Sequence, residues 1–240
     1  MKTMSVITTS LVLLAASAAA EDQGEKLNYT IKVMNSDFAK ASLYSSGNKV
    51  FGELKTNERW GAVFPMDNKI ASLLSESYFP IETELSLCQR KKSSLYEISY
   101  TSGRIDVIKT SRGRETRRTR KSQSRNHDLT SWLFQVRHNV KNNPDKLMTF
   151  KVFSGNKIYD VNLVPLPEEN IMTPLGMKTA KPYNIVVTRP IRFRQEMKMW
   201  FDTTGTFAPL RATGKAKIGG FEIMIESIER KVEKKNVHVQ

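Results

Sequence analysis

The chain has 240 residues and a formal charge of +14, from 38 Lys and Arg against 24 Asp and Glu. That length supports a full hydrophobic core, and the charge favours anionic partners while saying nothing about the fold. The single cysteine, Cys88, excludes an internal disulfide, so packing must hold the molecule together.

Residues 1–20 read as a secretory signal peptide. Lys2 supplies the positive start, Leu11-Val12-Leu13-Leu14-Ala15-Ala16 a short apolar run, and Ala18-Ala19-Ala20 a small-residue cleavage site. A membrane span needs about 20 apolar residues, which this run does not reach. The expectation is an exported chain, residues 21–240, forming one β-rich domain in the periplasm or secreted beyond it. No transmembrane segment remains after cleavage.

The mature chain reads as many short strands. Leu27, Tyr29, Ile31 and Val33 alternate with Asn28, Thr30 and Lys32, which is the period of a half-buried strand. Residues 38–45 and 48–56 continue the pattern around Ser46-Gly47. Residues 60–64 are expected to add a strand ending at Pro65, and 69–75 one or two helical turns. A strand follows over 80–88, where Cys88 is expected to be a small buried side chain. Residues 95–101 and 104–109 flank Ser102-Gly103 as a hairpin.

One helix stands out. Leu129, Trp132, Leu133, Val136 and Val140 form a single apolar stripe, Asn126 or Asp128 can cap its start, and Asn142-Asn143-Pro144 ends it. Arg137 and Lys141 near its end suit the helix dipole. Strands then resume over 147–153, 157–164, 171–172, 183–188, 192–201, 210–218 and 220–228. The fold class is therefore mainly β with minor α. It is a curved antiparallel sheet or half barrel, with the helix covering a face or plugging the opening.

The chemical anomaly is the stretch 109–125, with Lys109, Arg112, Arg114, Arg117, Arg118, Arg120, Lys121 and Arg125 against Glu115 alone. Charges of this kind on a sheet edge guard against unwanted strand pairing. They also suit an anion site, because the planar guanidinium fork matches phosphate and carboxylate. As a strand, it would put Arg112, Arg114, Arg118 and Arg120 on one face and Arg117 and Lys121 on the other. The partners this implies are anionic lipid, lipopolysaccharide or another acidic envelope component. Nucleic acid is set aside, because export removes the usual ligand and no aromatic side chains interleave the run.

Catalytic patterns are missing. His127, His138 and His238 are scattered, with no HExxH, paired cysteines, G-x-S-x-G, S-x-x-K or phosphate loop. No cofactor, metal or enzymatic activity is expected. The aromatic pair Trp200-Phe201 reads as a strand end packed under a turn. The leading expectation for function is an apolar cavity between the curved sheet and the helix that holds a lipid or acyl chain, lined by Leu129, Trp132, Leu133, Val136 and Trp200, with the basic residues of 109–125 meeting anionic headgroups. A scaffold with a filled interior is the second reading, and a hydrolase using Asp202 and Glu196 the third.

Four blocks carry a family likeness: Asp128-Leu129-Thr130-Ser131-Trp132-Leu133-Phe134-Gln135-Val136-Arg137, Thr173-Pro174-Leu175-Gly176, Met199-Trp200-Phe201-Asp202 with Pro209-Leu210-Arg211, and Lys217-Ile218-Gly219-Gly220-Phe221. Tyr29, Gly47 and Tyr78-Phe79-Pro80 fit loosely. In this order they resemble the bacterial exported family known as domain of unknown function 3108. The resemblance implies an envelope protein with no established activity, and a curved sheet similar in outline to the periplasmic lipoprotein carriers. The arginine-dense hairpin departs from the family pattern.

Overall fold

The computed structural model describes residues 24–230, apart from Lys91, Asn156, 190–194 and 217–218. The signal peptide expected over 1–20 and the first residues of the strand expected from 192 lie outside that description.

In chain order the elements are β1 (Glu25–Val33), β2 (Ser36–Ser46), β3 (Lys49–Thr56), α1 (Glu58–Val63), β4 (Met66–Leu74), β5 (Pro80–Gln89), β6 (Lys92–Thr101), β7 (Arg104–Ser111), β8 (Arg114–Lys121), α2 (Leu129–Asn142), β9 (Met148–Ser154), β10 (Lys157–Pro165), β11 (Glu169–Thr173), β12 (Gly176–Arg189), β13 (Gln195–Asp202), β14 (Pro209–Ala216) and β15 (Gly219–Arg230). The strands form one 15-stranded sheet in the order β8-β7-β6-β5-β4-β3-β2-β1-β15-β14-β13-β12-β10-β9, with β11 beside the first half of β12. Every pairing in its ladder is antiparallel, so short hairpin turns can connect neighbours.

Alternation sets the two faces. Leu27, Tyr29, Ile31 and Val33 point inward and are buried, while Asn28, Thr30 and Lys32 point out. The same period in the other strands gives a continuous inner core from β1–β4 and β9–β15 that meets Leu129, Trp132, Leu133, Phe134, Val136 and Val140 of α2. The sheet thus curls around the helix. Its two ends meet through side chains rather than backbone bonds: Ile98, Ile105 and Val107 of β6 and β7 pack on Phe153 of β9. The edge of β9 is covered by the segment before α2, where His127 N donates to Lys151 O at 2.8 Å and Phe153 N to His127 O at 2.7 Å. Among the described residues the edge of β8 carries no further strand.

Three expectations are corrected. Residues 60–63 belong to helix α1 and Phe64 is its C-cap, because the Asn57 side chain accepts from Trp60 N at 3.0 Å and caps a turn before Pro65. Residues 69–74 are strand. The local run Ile70-Ala71-Ser72-Leu73-Leu74 tolerates a helix, but pairing on both sides, to β3 and β5, decides it. Cys88 is exposed, because Thr83, Leu85 and Leu87 take the inward positions of β5 and leave Cys88 on the other face.

Candidate functional site

The β7–β8 hairpin closes on Arg112-Gly113, both with positive φ, 53° and 71°. Two left-handed residues are what a two-residue turn matching the strand twist demands. Glycine takes that conformation freely, whereas Arg112 does so at a cost of about 1–2 kcal/mol. Arg112 therefore sits in the turn and belongs to neither strand face.

Register assigns the other basic residues to faces. Ile105 pairs with Arg120, Val107 with Arg118, Lys109 with Thr116 and Ser111 with Arg114, and residues directly opposite share a face. Ile105 and Val107 point inward against Phe153. Arg114, Arg118 and Arg120 thus share the inner face of the sheet, on a strand that overhangs the core with all its side chains exposed. Lys109 joins them, its ammonium 5.1 Å from the centre of the Tyr96 ring.

The outer face of the same strands is different. It carries Glu97, Asp106 and Glu115 as well as Arg117 and Lys121. Arg117 Nε donates to Glu115 at 2.7 Å, Arg104 Nε to Asp106 at 2.6 Å, and Thr119 Oγ1 to Asp106 at 2.6 Å. The Thr119 hydrogen bond, then Arg104, hold the Asp106 carboxyl below its ordinary pKa, and Glu115 holds the Arg117 guanidinium above its own. By contrast, the side chains of Arg112, Arg114, Arg118, Arg120 and Lys121 have no hydrogen-bond or ion-pair partner among the described residues. The strand therefore offers an unneutralised cationic inner face backed by a largely neutralised outer one.

The residues expected around a cavity lie elsewhere. Leu129, Trp132, Leu133 and Val136 are buried between α2 and the sheet, and Trp132 meets Phe150 edge-on at 6.3 Å. Trp200 stands on the opposite face of β13 from the helix. There it is held between Lys198 and Arg211, 4.5 and 5.1 Å from the ring centre, and donates to Glu169 at 2.5 Å. Glu196 and Asp202 are separated along β13 by about 20 Å at strand rise, too far to share a substrate. An open trough of about 500 Å³ crosses the outer face of β12–β14, with Lys198, Thr213 and Lys215 in its lining.

The helix is fixed at both ends by polar groups. At its start Asp128 accepts from Ser131 N at 2.6 Å, Thr130 Oγ1 at 2.9 Å, Ser72 Oγ at 2.6 Å and Thr83 Oγ1 at 2.5 Å, while its own N–H donates to Ser131 Oγ at 2.9 Å. One carboxylate thus caps α2 and binds it to β4 and β5. His127 beside it is stacked on Phe79 at 4.4 Å, and burial lowers its pKa to about 4 against the pull of Asp128. Near the other end Arg137 is only 4% exposed. It donates to Glu25 at 2.8 Å and to the Thr206 carbonyl at 2.8 Å. Asp202 in turn holds that loop through Thr204 and Thr206; burial opposes its ionisation, but these hydrogen bonds outweigh burial and keep its pKa low. The helical pattern in the sequence puts Arg137 toward the dipole's negative end but gives no hint of this pair. Glu25 lies 112 residues away, and no local signal links them.

Among the described residues no helix is long and apolar enough to cross a membrane, and no His, Cys, Asp and Glu side chains converge as metal ligands.

An open, strongly curved antiparallel sheet wrapped about one internal helix, with a basic edge strand, defines the class. The chain belongs to the DUF3108 family of proteins of unknown function, whose model matches residues 40–226. In fold it is similar to a β-barrel-like protein of another uncharacterised family, DUF1849, from Brucella abortus: 8% identity, 88% of this chain and 99% of that one covered, TM-score 0.64. It also aligns with a protein described as exported with a YmcC-like fold from Bacteroides fragilis (8% identity, 88% and 98% covered, TM-score 0.32). A domain described as outer-membrane lipoprotein-sorting from Vibrio parahaemolyticus aligns at 10% identity (96% and 93% covered, TM-score 0.26). The last two overlay too loosely to inform the argument. No curated protein matches the sequence.

Proposed function

We propose that the protein is an exported cell-envelope interaction protein that docks an acidic partner on β8 and binds it rather than transforming it. The observation that carries this reading is the cationic inner face of β8, where Arg114, Arg118 and Arg120 are exposed and unpaired among the described residues. Unpaired arginines so close together repel one another, and an anionic partner relieves that repulsion. The signal-like run at 1–20 supports export to the periplasm.

An acyl-chain carrier is the weaker reading. The space such a carrier keeps for its ligand is where α2 lies, with Trp132, Leu133, Phe134 and Val136 packed against the sheet. Anionic lipid headgroups and lipopolysaccharide share the chemistry that β8 recognises and serve as comparison ligands. Nucleic acid stays outside the proposal, because β8 has no aromatic side chain on which bases could stack.

The test is fluorescence anisotropy with labelled polyglutamate, comparing the wild type with the R114S/R118S/R120S variant. Phosphatidylglycerol vesicles provide the lipid comparison. Exposed ion pairs are modest singly, so losing these arginines weakens binding by roughly tenfold, and added salt weakens the wild type likewise. Equal affinity of variant and wild type overturns the reading.

A further inference from the structure

We infer that the acidic partner is an extended peptide that adds to the sheet as the next strand beside β8, with acidic side chains at every second position opposite Arg114, Arg118 and Arg120. This rests on the reading of β8 as an acid-docking site and specifies its partner.

Two independent features of the strand point to it. The first is its backbone. In a hairpin with a two-residue loop, the residues flanking the loop exchange both backbone hydrogen bonds, and every second pair beyond does the same. Here Ser111 and Arg114 flank the loop. The pairs that follow are Lys109 with Thr116, Val107 with Arg118 and Ile105 with Arg120. Ser122 N donates to Gly103 O at 2.9 Å, which continues that phase. Arg114, Thr116, Arg118 and Arg120 therefore bond to β7. Glu115, Arg117, Thr119 and Lys121 direct their N–H and C=O groups toward the outer edge, where no strand follows among the described residues.

The second feature is the side chains. Residues of an added strand that stand opposite Arg114, Arg118 and Arg120 share their inner face. They occupy the sites without mutual backbone bonds, where Cα atoms approach to about 4.5 Å and side chains are closest. Arg118 and Arg120 are separated by about 6.7 Å, the strand repeat, and an added strand carries its alternate side chains at the same spacing. On the outer face the added strand meets Glu115 and Arg117, already paired with each other at 2.7 Å. Acidic residues are thus favoured on one face and gain little on the other. The same arginines repel a second copy of β8, so the edge discriminates against self-pairing while accepting an acidic strand.

The experiment uses the protein with two capped peptides, each as long as the 8 residues of β8. One alternates Glu and Thr; the other has the same composition with the Glu residues in one block. A third version alternates but is N-methylated on the amides that face the partner strand, and polyphosphate serves as a non-peptide anion. The expected result is that the alternating peptide binds about tenfold tighter than the block peptide. N-methylation abolishes the difference. Thr119→Pro, which removes an outward N–H, weakens the alternating peptide but leaves polyphosphate binding unchanged. Equal binding of the two unmethylated peptides, or indifference to both N-methylation and Thr119→Pro, overturns strand addition. Polyphosphate binding without peptide binding also overturns it while leaving the anion-docking reading intact. Failure of every anion overturns both.

Discussion

Arg137 and the arginines of β8 are the same residue type in opposite situations. Arg137 is enclosed by α2, β1 and the loop after β13, bonded to Glu25 and to the Thr206 carbonyl. Arg114, Arg118 and Arg120 are exposed and have no partner among the described residues. Burial of a guanidinium is tolerated only when its charge and hydrogen bonds are satisfied; burial lowers the Arg137 pKa while Glu25 opposes that shift. One arginine is therefore part of what holds the helix inside the sheet. The others contribute little to folding and are free to meet something else. A basic residue's role here follows from what surrounds it, not from the charge count of the chain.

The contrast breaks most sharply under substitution. Arg137→Met keeps most of the volume but leaves the buried Glu25 with only the half-exposed Arg230 guanidinium at 3.3 Å, so chemical denaturation should show a loss of about 3 kcal/mol, the lower end for breaking a buried pair. The R114S/R118S/R120S variant should stay within about 0.5 kcal/mol of the wild type in the same assay. Similar losses for the two would erase the distinction between a structural and a docking arginine.

A second, somewhat smaller effect concerns the start of α2, where His127 is neutral in the folded state. Its pKa is about 4 there, against an ordinary value of about 6.5. Between those values the unfolded chain binds the extra proton and the folded one does not. Stability therefore falls as pH drops through that window and this contribution levels off below it, reaching at most about 3 kcal/mol. The His127→Phe variant retains the stacking surface toward Phe79 and should lose that part of the acid slope in denaturant melts from pH 7 to pH 4. An unchanged slope would mean that His127 is not held neutral by its surroundings.

Much of this was legible in the chain, for identifiable reasons. The helix announces itself because its stripe from Leu129 to Val140 and its Asp128 cap are local features. Most strands show through period-two alternation, as in β1. The segment around Ile70 misleads because its strand state comes from neighbours on both sides. Residues 60–64 mislead because the Asn57 cap outweighs their aromatic and branched side chains. The basic cluster is visible as composition. That its inner face is unpaired while its outer face meets Glu97, Asp106 and Glu115 depends on the register of β6, β7 and β8. Alternation alone divides a strand into two faces without saying which of them faces inward. The pairs Arg137–Glu25 and Asp128–Thr83 were out of reach, because each joins residues brought together only by closure of the sheet.

The most direct test of the central claim is amide chemical-shift mapping of the wild-type protein during titration with polyglutamate. The account predicts that the largest shifts fall within β7 and β8, over 104–121, with α2 unaffected. Shifts centred instead on the trough at Lys198 and Lys215, or on the buried face of α2, would contradict it.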